Sequence, residues 1–145
     1  GDMRSVVSKA YQQIFENGKM SLFKSHRPEY RDGEQKRDFL YIKDAVQMTL
    51  FLVKNEKSTG LFNLGNGKAR TWKDLGNSIF KALKTEPLIE FVEMPEQLRE
   101  KYQYYTQANI QKLRKQGYKD NLHTLEESVN DYLTNYLIPS NRLGF

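Results

Sequence analysis

Arg37 stands where a polar run meets an apolar one, in Lys36-Arg37-Asp38-Phe39. A guanidinium carries a planar fork of donors that fits a phosphate or a carboxylate. An arginine at the entrance of a strand is also an ordinary surface residue, and its neighbours alone do not separate the two readings. Phe23-Lys24-Ser25-His26 ends a strand-like run and enters a loop, where a lone histidine is ordinarily solvated. Arg99-Glu100-Lys101-Tyr102-Gln103-Tyr104-Tyr105 mixes charge with aromatic rings. Tyrosine stacks on a base or sugar and hydrogen-bonds at its tip, and the same rings can equally cover a pair of helices. Leu64-Gly65-Asn66-Gly67-Lys68 invites comparison with a phosphate loop. A Walker A loop, however, needs four residues between Gly and Gly-Lys and then Ser or Thr, and here Ala69 follows. The GxGxxG pattern fails as well, at Arg70. A tight glycine turn after a strand is the reading that remains. Asp2 and Lys9 have no local argument for function.

The elements that must position these residues come from a chain of 145 residues, the length of one domain with a modest core. Aromatic residues make up 12%, too many for a disordered chain. The absence of cysteine excludes disulfides, thiolate metal sites and a cysteine nucleophile. The only histidines, His26 and His123, lie far apart in sequence and leave little for a histidine metal site or a Ser-His-Asp arrangement. The formal charge is +5, with Lys and Arg dispersed among acids. The densest basic stretch, Lys112-Leu113-Arg114-Lys115-Gln116, reads as a solvated helical face. This charge pattern gives no support to a nucleic-acid-binding module. No apolar run suggests a membrane span.

Hydrophobic spacing predicts a helix over 4–17, ended by Asn17-Gly18, and a strand over 20–23. A polar loop containing Pro28 and Gly33 follows, then a strand over 38–42 and a helix opening at Asp44 and running to about Lys54. The glycine-bounded segment 60–65 reads as a buried strand. Thr71 with Asp74, and Thr124 with Glu127, resemble capping boxes opening helices. A strand over 87–94, an aromatic connector over 95–107 and a short helix over 109–116 stopped by Gly117 complete the order. Helices alternating with short strands indicate an α/β or α+β domain. The strands are few for an independent fold, and the first helix begins without preamble. Both features suggest a piece of a larger protein.

Together these segments resemble a known family. Arg37-Asp38-Phe39-Leu40-Tyr41-Ile42-Lys43-Asp44-Ala45 is similar to the RDF-hydrophobic-Tyr-Val-x-Asp-Val signature of extended short-chain dehydrogenase/reductases. Leu61-Phe62-Asn63-Leu64-Gly65-Asn66-Gly67 resembles their (F/Y)NxGxG strand and turn. The run Lys101-Tyr102-Gln103, Thr106-Gln107-Ala108, Lys112-Leu113-Arg114, Gly117-Tyr118 and a closing Leu-Glu-Glu helix is similar to the ADP-glyceromanno-heptose 6-epimerase family. The opening Gly1-Asp2-Met3-Arg4-Ser5-Val6-Val7 resembles a segment of the same family.

The resemblance implies an α/β fold in which residues 1–145 are the C-terminal substrate-binding portion, with the Rossmann half absent. It implies a cytoplasmic enzyme, oligomeric when full-length, that acts on ADP-glyceromanno-heptose with NADP. A hydride leaves C6 and returns to its other face. NADP is expected on the absent N-terminal half, which would also be this portion's partner. No catalytic residue is expected here, because the Tyr-x-x-x-Lys pattern fails. Thr106 stands four residues after Tyr102, and Ala45 four after Tyr41. Alone, the chain is expected to be inactive. Matching position by position implies substrate contacts at Asp2, Lys9, Phe23, Lys24, Ser25, His26, Arg37 and Tyr102, with Arg37 on the diphosphate. A related reductase acting on another nucleotide sugar is the alternative within the same fold. A structural interaction domain has only the missing half in its favour.

Overall fold

The computed structural model describes residues 5–140. Helix α1, Val6–Asn17, starts at Ser5, whose hydroxyl accepts the Val7 amide, and ends at Gly18 in the left-handed region. Strand β1, Met20–Phe23, leads into the polar loop, and β2 is Lys36–Asp38. Helix α2 spans Ile42–Lys54, and β3, Ala69–Thr71, runs straight into α3, Trp72–Leu83. Strand β4, Ile89–Val92, is followed by the single turn α4, Glu96–Arg99, and by α5, Gln111–Lys115. Helix α6, Leu125–Tyr132, continues as a π-helical turn over Leu133–Leu137.

Both anticipated capping boxes form. Thr71 Oγ1 accepts the Asp74 amide while Asp74 Oδ2 accepts the Thr71 amide, each at 3.0 Å. Thr124 and Glu127 make the same exchange at 3.2 and 2.8 Å. These caps satisfy helix donors that otherwise lack intrahelical acceptors.

Strand β1 pairs in parallel with β4, from Met20 against Ile89 to Phe23 against Val92. Strand β2 pairs antiparallel with β3, Lys36 against Thr71 and Asp38 against Ala69. Ala10, Ile14, Met20, Leu22, Leu75, Ile79, Phe80, Leu125, Val129 and Leu133 form one core between α1, α3, α6 and the β1–β4 pair. Met48, Leu113 and Tyr118 centre a smaller one under α2 and α5.

Three expectations need correction. The strand expected over 38–42 is instead Lys36–Asp38, because its partner is only three residues long and is preceded by the Gly-Asn-Gly turn. Beyond Asp38 there is no ladder to join, and α2 begins at Ile42, earlier than Asp44. Strand β3 lies in a segment read only as the approach to a helix. The segment 60–65 is not a strand. Among the described residues it has no paired neighbour, Leu61 is 87% exposed, and the Leu61 carbonyl is taken by Lys112 Nζ at 2.7 Å. An extended segment without a partner has no ladder to complete its backbone hydrogen bonds.

Candidate functional site: an aromatic cavity beside Arg37

Three segments distant in sequence meet beside α1. The end of β1 supplies Phe23, the loop before β2 supplies Gln35, and the connector after α4 supplies Tyr102. The start of α3 adds Trp72, and α1 adds Lys9. Together they bound a mainly apolar cavity of about 350 Å³. That is the size and character of a small-molecule site.

Backbone bonds hold these segments in register. The first amides of α3 point into the loop, Trp72 N to the Gln35 carbonyl at 3.2 Å and Lys73 N to the Gly33 carbonyl at 3.0 Å. Gly33 has φ +73°, and a β-carbon there would meet Lys73 Cγ at 2.6 Å, so the turn requires glycine. On the other side Lys36 N donates to the Tyr104 carbonyl at 2.8 Å and Thr106 N donates to the Lys36 carbonyl at 3.2 Å. The connector thus lies along β2 and delivers Tyr102 and Tyr104.

The rings stack edge to face. Phe23 and Tyr102 have centroids 6.3 Å apart, and Tyr102 and Tyr104 are 5.3 Å apart. Arg37 Cζ lies 5.2 Å from the Tyr102 centroid, and one guanidinium nitrogen donates to the Lys36 carbonyl at 3.0 Å. Among the described residues Arg37 has no carboxylate partner. Its charge therefore remains available to an anion. Burial pushes the Tyr102 hydroxyl above its ordinary pKa, against the opposing pull of Arg37. The phenol is protonated at neutral pH.

The expected residues divide into groups. Lys9, Phe23 and Tyr102 line the cavity, and Arg37 flanks it through Tyr102. Lys24 and His26 turn to Glu93, with Lys24 Nζ at 2.8 Å from Oε1 and His26 Nε2 at 3.4 Å from Oε2. The hydrogen bond to Glu93 raises the Lys24 pKa, and the same bond lowers that of Glu93. Ser25 is held by the loop, its amide on Asp32 Oδ1 at 2.7 Å and its hydroxyl on the Arg27 carbonyl at 3.0 Å. The His26 amide donates to the Tyr104 hydroxyl at 2.9 Å. Asp2 lies outside the described residues.

Sequence reasoning missed Gln35, the cavity role of Trp72, and Asp38. Gln35 is 1% exposed. The carboxylate of Asp38 accepts the amides of Asn66 at 2.7 Å, Gly67 at 2.9 Å and Ala108 at 2.8 Å. It ties the glycine turn and the aromatic connector to β2. The usable signal was the pairing of an Asp-containing motif with a glycine turn, since a carboxylate suits a cluster of backbone donors. The glycine turn itself is thus occupied internally. Gly65 packs so closely that a β-carbon would lie 2.3 Å from Ala108 Cβ.

Residues 1–65 match the NAD dependent epimerase/dehydratase family. Over 137 residues the chain is 50% identical to an ADP-L-glycero-D-manno-heptose-6-epimerase of Nitratidesulfovibrio vulgaris (strain DP4), covering 94% of this chain and 42% of that protein. A protein of the same name from Fusobacterium nucleatum is 44% identical over 143 residues, with 94% of this chain and 43% of that protein covered. Among solved structures, the Helicobacter pylori ADP-L-glycero-D-manno-heptose-6-epimerase superposes with a TM-score of 0.74 at 25% identity, over 92% of this chain and 38% of that one. A UDP-N-acetylglucosamine 4-epimerase from Methanobrevibacter ruminantium M1 superposes with a TM-score of 0.77 at 20% identity, over 97% of this chain and 41% of that one, a likeness of fold.

The first 65 residues thus match that family, and the helices and short strands match the extended short-chain dehydrogenase/reductase fold. The chain is a homologue of proteins named ADP-L-glycero-D-manno-heptose-6-epimerase, and it spans about two fifths of the length of the curated relatives above. Among the described residues no helix is long and apolar enough to cross a membrane.

Proposed function

We propose that residues 1–145 are the substrate-binding portion of an enzyme that interconverts ADP-D-glycero- and ADP-L-glycero-β-D-manno-heptose at C6. The observation that carries this reading is the aromatic cavity lined by Phe23, Trp72 and Tyr102, with an Arg37 guanidinium beside it that has no carboxylate partner among the described residues. A planar base suits the ring-lined cavity, and a diphosphate suits the guanidinium fork. Lys9 adds a cation on the α1 side of the cavity. Lys24, Ser25 and His26 contribute through the backbone they fix at the end of β1, and Asp2 belongs to the same substrate set by sequence.

NADP, when bound, supplies hydride removal from C6 and its return to the opposite face. The residues described here do not fit a dinucleotide. The one glycine-rich turn lacks the required spacing, and its amides are already bound by Asp38. NADP therefore belongs to a Rossmann portion outside these residues, which is also this portion's partner. The acid/base pair belongs there too, so the 145-residue chain is inactive alone. The complete enzyme is a cytoplasmic oligomer in this reading.

Calorimetric titration of the chain with ADP-glyceromanno-heptose, ADP and a UDP-sugar tests the assignment. Selective binding of the ADP-sugar is expected. Equal binding of the UDP-sugar would favour a different nucleotide-sugar enzyme of the same fold, and absence of binding both here and in a full-length enzyme carrying these residues would overturn the reading.

A further inference from the structure

Gln35 is a polar side chain in a mostly apolar wall. It lines the cavity although only 1% of the residue is exposed. Its Nε2 donates to the carbonyls of Phe23 at 3.3 Å and Lys24 at 3.4 Å. Two carbonyl acceptors on one side fix which end of the amide carries the nitrogen, so Oε1 points away from β1. Among the described residues Oε1 receives no hydrogen bond. Nor is it sealed off. The buried side-chain atoms lacking a partner there are Ser58 Oγ and Trp72 Nε1. Gln35 thus brings to the cavity wall an acceptor that no other described residue uses. Its backbone is anchored as well, since its own carbonyl accepts the first amide of α3 at 3.2 Å. Trp72, on the same cavity, presents an indole N–H beside Tyr102 that has no partner of hydrogen-bonding geometry.

We propose that Gln35 Oε1 accepts a hydrogen bond from the exocyclic amine of an adenine base seated in this cavity, so that Gln35 determines base specificity. This deepens the nucleotide-sugar reading above and rests on it. Rings and aliphatic side chains make most of the other walls, which also carry Lys9, Gln13 and Ser21, and they suit the faces of a base better than a sugar rich in hydroxyls. A fixed acceptor discriminates by its chemistry. It pairs with an amine, whereas a carbonyl at the same place sets two acceptors against each other, each stripped of water. Adenine meets the requirement, and hypoxanthine, with a carbonyl at position 6, does not.

The test titrates the 145-residue chain with ADP and with IDP, for wild type and Gln35→Met. Methionine keeps the length of the side chain and removes the acceptor, and circular dichroism checks that the variant is folded. Wild type is expected to bind ADP about tenfold more tightly than IDP. The substitution is expected to weaken ADP about tenfold without weakening IDP, abolishing the preference. Equal affinity of the wild type for ADP and IDP overturns the proposal without using any variant. An equal loss for both ligands in Gln35→Met makes Gln35 a structural residue and overturns it as well. Wild type that binds ADP-glyceromanno-heptose selectively but shows either negative result leaves the substrate reading standing and removes Gln35 alone. Wild type that binds neither ADP nor the ADP-sugar, as this chain and within a full-length enzyme carrying these residues, removes both.

Discussion

Asp38→Asn is a sharp test of how the site is assembled. In the folded chain Oδ1 accepts one amide, that of Asn66, and Oδ2 accepts two, those of Gly67 and Ala108. Asparagine is nearly isosteric but has one oxygen and one NH2. Its cheaper orientation puts the oxygen toward Gly67 and Ala108, which leaves the NH2 facing the Asn66 amide, donor against donor. One charge-assisted bond is then lost and two become neutral. With about 1.5–3 kcal/mol for a bond to a charged group and about 1 kcal/mol for a neutral one, the substitution costs roughly 2.5–7 kcal/mol. For a chain of 145 residues each kcal/mol is worth roughly 3 °C, so the melting temperature falls by about 8–20 °C. Thermal unfolding followed by circular dichroism measures that fall. Amide exchange locates it, with protection lost first at Asn66, Gly67 and Ala108. A change below about 2 °C, or faster exchange spread evenly over the chain, would refute the idea that this carboxylate fastens the turn and the connector to β2.

Other perturbations probe the rest of the arrangement. Gly65→Ala would set a β-carbon 2.3 Å from Ala108 Cβ and 2.9 Å from Asp38 Oδ2. It should destabilise by about 1–3 kcal/mol, with partial recovery on adding Ala108→Gly in a double-mutant cycle. Arg37→Ala in a full-length enzyme should weaken substrate binding about tenfold, the equivalent of one charge-assisted bond; an unchanged Michaelis constant and turnover would remove Arg37 from the site. Asp131 is held at about 2 by its bond to Lys43, at 2.6 Å, and by the Tyr41 hydroxyl, against 3.8 for a free group. A depressed carboxylate stabilises the fold above the unfolded value and loses that contribution as pH falls toward the folded one. Asp131→Asn should therefore lower stability at pH 7 and flatten its loss between about pH 4 and pH 2, seen in urea midpoints across that range. Glu93→Gln releases Lys24 and His26, so ADP binding should tighten a few-fold if Lys24 reaches the diphosphate. Unchanged affinity would make Lys24 a member of the surface cluster only.

The helices were legible because their signals are local. Thr71 and Thr124 announce their own starts, and Gly18 announces an end. The strands were less so. A three-residue strand such as Ala69–Thr71 has no room for an alternating pattern, and only its partner Lys36–Asp38 defines it. The opposite error has the same origin. Gly60-Leu61-Phe62-Asn63-Leu64-Gly65 has the composition of a strand, but a strand is a relation between two segments, and here the second is missing among the described residues.

The site obeys the same logic at the level of side chains. Arg37 and Tyr102 were found by resemblance, yet neither motif says that the guanidinium lies over that ring. The loop, the connector and the glycine-rich turn carry no hydrophobic period, so nothing in their spacing states which of their polar atoms are buried. Asp38 and Gln35 show what that conceals. Each is a polar residue within two positions of Arg37, and each spends its hydrogen bonds on backbone of a different segment: Asp38 on residues 66, 67 and 108, Gln35 on residues 23 and 24. Arg37 sits between them in sequence with its charge unspent. The segment 35–38 is therefore rigid at both ends and open in the middle. That division lets one guanidinium be held beside an aromatic cavity without being neutralised by the protein that holds it.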